Sequence, residues 1–210
     1  MGLTAERLLF AYAQGVFPMA ESSDSAQLYW FDPPERGVLP VGGLHVSRSM
    51  RRFLARCDWR ATVNRDFAGV VAGCADRPET WINAPLRRLY DDLHRSGHAH
   101  SLEVWQDDRL IGGTYGVSLG GAFFAESMFS RRPNASKAAL LWLSAQLQAC
   151  GFTLWDTQYP TAHLASLGGQ TISRSAYRAQ LMQATRLEVS FADRPLPGPQ
   201  ALLQEITQTS

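Results

Sequence analysis

The sequence has no cysteine framework: Cys57, Cys74 and Cys150 are odd in number, far apart, and form no CxxC pair. That argues against a disulfide-stapled secreted scaffold and a cysteine-based metal knuckle, and a reducing cytoplasm is the expected setting. Long hydrophobic runs are missing as well. The longest, such as Ala138 to Leu143, fall far short of the roughly 20 residues that a membrane span needs, so no membrane association is expected. Met1 to Phe17 carries Glu6 and Arg7 inside its apolar pattern and shows no clear cleavage site, so it does not read as a signal peptide. Neither charge is in excess, the formal net charge being +1. Internal repeats and low-complexity segments are absent too.

What is there suits a folded enzyme-sized domain. The 210 residues are 45% hydrophobic and 19% charged, which is ordinary for a chain that buries a core. Thr4 to Tyr12 reads as a short capped helix with Leu8, Leu9 and Tyr12 on its apolar face, ended by Gly15 and Pro18. Tyr29 to Leu39 pairs short strands across a proline-rich turn. Residues 1–44 are therefore expected to form a small N-terminal lobe, and 45–210 the main domain, with a loose tail after about residue 192. Within the main domain, helices are expected at Ser47–Ala55, Asp66–Cys74 and Ala84–Ser96, with a strand near Trp59–Val63 between the first two.

The strongest β signal follows. Strands beginning at Ser101, Arg109 and Ala122 form an antiparallel meander, turned at Gln106–Asp108 and at Gly120-Gly121. Ser136–Cys150 reads as an amphipathic helix with Leu140, Leu143 and Leu147 on one stripe, Phe152–Gln158 as a strand, and Ala162–Leu167 and Arg174–Ala184 as helices. This is an α+β layout: a central, mostly antiparallel sheet flanked by helices. It fits the GNAT acyltransferase fold, whose splayed sheet opens a cleft for an acyl donor. The glycine-rich pyrophosphate loop of acyl-coenzyme A enzymes has no counterpart, because Ser130-Arg-Arg-Pro-Asn-Ala precedes the helix. Coenzyme A is therefore disfavoured as donor.

Stretches along most of the chain resemble the leucyl/phenylalanyl-tRNA–protein transferase family. They include Gly15–Met19, Arg36–Pro40, Leu44–Arg52, Thr80–Ile82, Gly97–Trp105, Gly112–Val117, Glu126–Arg131, Asn134–Ala138, Asp156–Gln158 and His163–Gly168. The resemblance implies transfer of Leu, Phe or, less well, Met from a charged tRNA to the α-amino group of a protein beginning with Arg or Lys. The product would carry a new peptide bond and a destabilising N-terminal residue. The reaction is aminolysis of an activated ester, so no cofactor and no metal is expected. The site must hold amine and ester in line, take one proton and stabilise an oxyanion.

Catalytic roles are expected for Asp156, Gln158 and Glu126. Alternation on a strand sends Asp156 and Gln158 to one face, toward cleft or core. Asp156 is expected to orient the Gln158 amide, and proton handling to belong to that pair. From the residues alone, a buried Asp–Gln pair inside a sheet is the plainer reading. Glu126 is either a structural partner for a residue such as Arg131 or, as the resemblance implies, part of the aminoacyl site. Carry-over from the family puts Trp30, Thr114, Phe123, Leu143, Leu147 and Trp155 on or near the pocket for Leu or Phe. Of these, Thr114 is polar and Trp155 bulky where aliphatic residues are expected. Arg51, Arg52, Arg87, Arg88, Arg131 and Lys137 are the candidates for tRNA contacts, Arg131 and Lys137 foremost because they flank the presumed reaction strand and helix. His98 and His100 have the spacing of an incipient metal pair but no third ligand. A monomer is expected. The second functional reading keeps the charged tRNA and acylates a small-molecule amine; Tyr159-Pro160-Thr161-Ala162, on the presumed acceptor side, is where that difference would show.

Overall fold

The computed structural model describes residues 3–25, 27–191 and 195–208. Helix α1 (Ala5–Ala13) opens the chain, its N-cap Thr4 accepting a hydrogen bond from the Arg7 amide. Strands β1 (Phe17–Ala20) and β2 (Leu28–Phe31) pair antiparallel as a two-stranded sheet. β3 (Glu35–Leu39) leaves that unit. It lies in the main sheet, hydrogen-bonded between two C-terminal strands, although its residues belong to the stretch 1–44 expected as a separate lobe.

The main domain continues with α2 (Arg48–Arg56), β4 (Arg60–Val63), α3 (Phe67–Ala75) and α4 (Ala84–Arg95). Ser47, Asp66 and Asn83 cap the three helices with side-chain oxygens. The meander is β5 (Ala99–Gln106), β6 (Arg109–Leu119) and β7 (Ala122–Ser130), and α5 (Ala135–Ala149) then crosses to β8 (Leu154–Gln158). The chain finishes with α6 (Ala162–Ser166), β9 (Gln170–Ser173), α7 (Arg174–Ala184) and α8 (Pro199–Gln208). Among the described residues the sheet order is β4-β5-β6-β7-β8-β3-β9, with β7–β8 its parallel pair. The fold is thus α+β, a mostly antiparallel acyltransferase-like sheet flanked by helices.

Each face of the sheet has its own core. On one face α2, α5 and α8 bury residues such as Leu54, Trp142 and Leu202 against Phe123 and Trp155. On the other, α1, α3, α4 and α7 bury Leu8, Val70, Leu86 and Leu181 against Tyr115 and Phe124.

Two expectations change here. α5 is not amphipathic: Ala138 to Ser144 is buried without interruption, because the helix is covered by the sheet on one side and by α8, Val189, Phe191, Leu196 and Pro197 around it. The described part of the tail, from residue 195, is packed rather than loose. Leu202 of α8 is fully buried, and the Trp142 indole N–H donates to the Pro197 carbonyl at 2.8 Å. β9 was not expected; it is a four-residue, mostly exposed edge strand whose order comes from pairing with β3.

Candidate active site

β7 and β8 run parallel only from Ala122↔Leu154 to Phe124↔Asp156. Beyond that they part, and two irregularities shape the gap. Tyr115 pairs with Ser127 but Gly116 with Ala125, so Glu126 is the extra residue of a β-bulge. Gly37 pairs with Gln158 but Val38 with Asp156, so Thr157 is the extra residue of a second. Glycine is required at both. A Cβ on Gly116 would lie 2.3 Å from the Phe124 carbonyl oxygen, and one on Gly37 would lie 2.9 Å from backbone atoms of Tyr159 and Pro160. Gln158 itself has φ +62°, which ends the strand alternation.

These distortions bring Glu126 and Gln158 face to face. Gln158 Nε2 donates to Glu126 Oε1 at 3.0 Å, and the Tyr12 hydroxyl donates to the same oxygen at 2.7 Å. The Tyr90 hydroxyl donates to Oε2 at 2.7 Å. Burial, joined by the nearby negative charge of Asp156, pushes the Glu126 carboxyl up to about 7 against the lowering effect of the two tyrosine hydrogen bonds and of Arg36. Burial first, and then the Glu126 charge, holds both tyrosine hydroxyls well above their ordinary range.

Asp156 sits deeper, with no exposed surface. Arg36 clasps it with Nε to Oδ1 at 2.9 Å and Nη2 to Oδ2 at 2.6 Å. The Tyr177 hydroxyl donates to Oδ2 at 2.8 Å, and the Gln158 backbone N–H to Oδ1 at 2.8 Å. So Asp156 holds the Gln158 main chain, not the side-chain amide as expected, and the amide goes to Glu126. Arg36 is only 1% exposed, stacks between the rings of Phe17 and Tyr177, and also donates to the Gly15 carbonyl. Burial works against its charge, and Asp156 more than offsets this, so its pKa lies above the ordinary value.

A cavity of about 110 Å³ opens beside this pair, lined by Leu39, Ala125, Met128, Leu140 and Leu164 together with Thr114, Ser127, Thr157, Glu126 and Gln158. Its apolar wall, with the Glu126 and Gln158 side chains at one edge, suits an aliphatic or aromatic side chain held next to an ester. Of the expected pocket residues, Thr114 lines this cavity, its hydroxyl tied to the Ser127 carbonyl at 3.0 Å. Phe123, Leu143, Leu147 and Trp155 lie in the core beneath and do not line it. Trp155 is fully buried, and its indole N–H has no hydrogen-bond partner among the described residues. Trp30 is 45% exposed on β2 and does not reach the cavity.

The basic clusters separate in space. α2, with Arg51 and Arg52, packs on one face of the sheet; α4, with Arg87 and Arg88, packs on the other. They do not merge into one patch. Arg131 and Lys137 are exposed at the junction of β7 and α5, and Arg131 lies over the Phe129 ring rather than pairing with Glu126. His100 is occupied by Asn64 and Ser118, and no group of three or more His, Cys, Asp or Glu with metal-site geometry occurs among the described residues.

The residues that the sequence reading left out are Arg36, Tyr12, Tyr90 and Tyr177. Tyr12 was read only as helix packing. Its partner Glu126 is 114 positions away, and no local pattern marks the pair.

Residues 1–34 match the family described as leucyl/phenylalanyl-tRNA protein transferase N-terminal domain, and residues 38–182 the leucyl/phenylalanyl-tRNA protein transferase family. The leucyl/phenylalanyl-tRNA–protein transferase of Paracoccus denitrificans is 71% identical over 209 residues, covering 100% of this chain and 99% of that protein. The protein of the same name from a Ruegeria species is 59% identical over the full length of both, and that of Dinoroseobacter shibae 56% identical over 96% of this chain and 91% of its own. The chain belongs to the family of aminoacyltransferases named leucyl/phenylalanyl-tRNA–protein transferases.

Proposed function

We propose that this chain transfers Leu, Phe and, less well, Met from charged tRNA to the α-amino group of proteins beginning with Arg or Lys, and that the product is an N-degron. One observation carries this reading: an apolar cavity meets a buried carboxyl and an amide at the point where two sheet strands part. The apolar wall takes the aminoacyl side chain, and Glu126 and Gln158 face the ester and the incoming amine. The acceptor α-amine has an ordinary pKa near 7.7–8.0, so a useful neutral fraction exists at cellular pH. The ester already stores the energy of the new amide, so the chemistry asks for neither ATP nor metal.

Arg131 and Lys137 neutralise phosphates of the single-stranded 3′ end in this reading, which their position beside the strand and helix that border the cavity supports. No helix among the described residues is long and apolar enough to cross a membrane. A monomer in the cytoplasm, where charged tRNA is made, fits this use.

The test is direct. The protein is incubated with Leu-, Phe- and Met-charged tRNA and peptides starting with Arg, Lys or Ala, and mass addition is followed. The expected result is addition of one residue to the Arg and Lys peptides and none to the Ala peptide. Absence of transfer to Arg and Lys peptides from every donor sinks the proposal. Transfer to small amines but not to peptides replaces it with the metabolite-acylating reading.

A further inference from the structure

Two buried carboxyls border the reaction cleft, and their hydrogen-bond partners separate their roles. Asp156 accepts from Arg36 Nε, Arg36 Nη2, the Tyr177 hydroxyl and the Gln158 amide N–H. Four donors saturate the roughly four lone-pair sites of a carboxylate. Its side chain has no exposed surface and is not part of the cavity wall. Asp156 therefore has neither the access nor a vacant acceptor site to receive a proton from substrate.

Glu126 differs on both counts. It lines the cavity, and it accepts three hydrogen bonds: Tyr12 and Gln158 on Oε1, Tyr90 on Oε2. Among the described residues, Oε2 carries one donor and keeps a second lone-pair site. Gln158 is also fixed by this contact. Its Nε2 must face the acceptor carboxylate, which leaves its carbonyl Oε1 to accept an N–H from an amine, and an amide oxygen is too weak a base to keep the proton.

We infer that Glu126 is the proton shuttle of the transfer reaction, with Gln158 orienting the amine and Arg36–Asp156 holding Gln158 in place. The inference rests on the aminoacyl-transfer reading above. In the step it describes, the neutral α-amine attacks the ester carbonyl carbon; a C–N bond forms, and the carbonyl π pair moves to oxygen. The nitrogen proton passes to the Glu126 carboxylate. The tetrahedral intermediate then collapses, the bond from carbon to the ribose oxygen breaks, and that oxygen takes the proton from Glu126. An amide and a free ribose hydroxyl result, and the carboxylate is restored.

The surroundings suit this duty. Facing Glu126 are Tyr12 from α1, Tyr90 from α4, Tyr115 from β6, Asp156 and Gln158 from β8, and Arg36 from β3, with Cys74 of α3 behind Tyr115. Burial and the Asp156 charge bring the carboxyl near neutrality, where acid and base forms are both populated during a cycle.

The experiment is single-turnover transfer from Phe-charged tRNA to an Arg-starting peptide, followed from about pH 5.5 to about pH 9. The wild-type rate is expected to rise through two ionisations, one near that of Glu126 at about 7 and one of the acceptor amine. Glu126→Gln should remove the lower ionisation and slow transfer roughly 100-fold or more, the usual range for losing a general acid–base group. Tyr90→Phe deletes a hydrogen bond that lowers the Glu126 pKa, so it should move the lower ionisation upward while the amine limb stays. If Glu126→Gln does not fold, as judged by circular dichroism, Tyr90→Phe decides the matter alone. A wild-type profile in folded Glu126→Gln, or an unmoved profile in Tyr90→Phe, overturns the inference. Wild-type protein that transfers nothing to the peptide is a different failure, that of the functional reading, and it is seen before any variant is made.

Discussion

On one face of the sheet, Phe123, Trp142, Trp155 and Phe191 fill space with scarcely a charge among them. On the other, Tyr12, Tyr90 and Tyr177 aim hydroxyls at Glu126 and Asp156, and a buried arginine completes the set. The first face holds by volume, the second by the donors paired with its two buried carboxyls, while the Tyr115 hydroxyl has no partner among the described residues. Dispersion and burial tolerate small shifts of a ring, whereas a carboxyl in low dielectric demands each donor at hydrogen-bond distance. The reaction cleft lies at the seam: its wall comes from the apolar face, and its chemistry reaches through a bulge from the polar one.

Breaking the polar face should cost most. Asp156→Ala leaves the Arg36 charge buried without its partner, and urea unfolding should show a loss of about 3–5 kcal/mol. A loss under about 1 kcal/mol would mean that water reaches the pair and that the contrast between the faces is weaker than drawn. On the apolar face, Leu202→Ala in α8 removes a fully buried side chain and should cost roughly 2–5 kcal/mol by cavity formation. Its transfer rate below the unfolding transition should be that of wild type, since Leu202 does not line the cleft. A rate that falls with no loss of stability would reverse the assignment of support and chemistry to the two faces.

The faces should also respond to pH with opposite sign. Glu126 is raised from its ordinary 4.5 to about 7 in the fold. Its contribution to stability is complete below pH 4.5 and disappears as pH rises through about 7; against Glu126→Gln, wild type should lose roughly 3 kcal/mol over that window. His100, on the apolar face and stacked on Phe191, is lowered by burial from 6.5 to about 4. Its contribution is complete above pH 6.5 and disappears as pH falls through about 4, so His100→Gln should flatten the acid side by a similar roughly 3 kcal/mol. Two slopes of the same sign would refute the comparison. The smallest effect belongs to the surface at the seam. Arg131→Ala should leave stability within about 0.5 kcal/mol. It should also raise the KM for charged tRNA and cut the salt slope of log KM by about 0.7, the loss of one single-strand phosphate contact. An unchanged slope would move the tRNA path to one of the two faces, where Arg51 and Arg52 or Arg87 and Arg88 lie.

Most of the elements were legible because their determinants are local. Thr4, Ser47 and Asn83 precede apolar periodicity and cap helices, and the Gly120-Gly121 turn separates two strands. The family was legible because its stretches span the chain. α8 was not, because a moderately polar segment after a proline-rich run becomes a helix only by burying Leu202 in the core of the apolar face. The pocket was only partly legible: Phe123, Leu143, Leu147 and Trp155 are apolar in the way a pocket lining is, and composition does not separate a lining from the layer beneath it.

The amino-acid sequence by itself determined the fold class and the family, since caps, alternation and motif spacing act over a few residues, and the family resemblance pointed to two of the groups in the cleft, Glu126 and Gln158. Only the tertiary structure decided what those groups are. Whether a carboxyl is saturated like Asp156 or holds a vacant acceptor site like Glu126 depends mostly on donors 21 to 120 positions away. Their distance and burial, not their identity, set the balance of charge and proton.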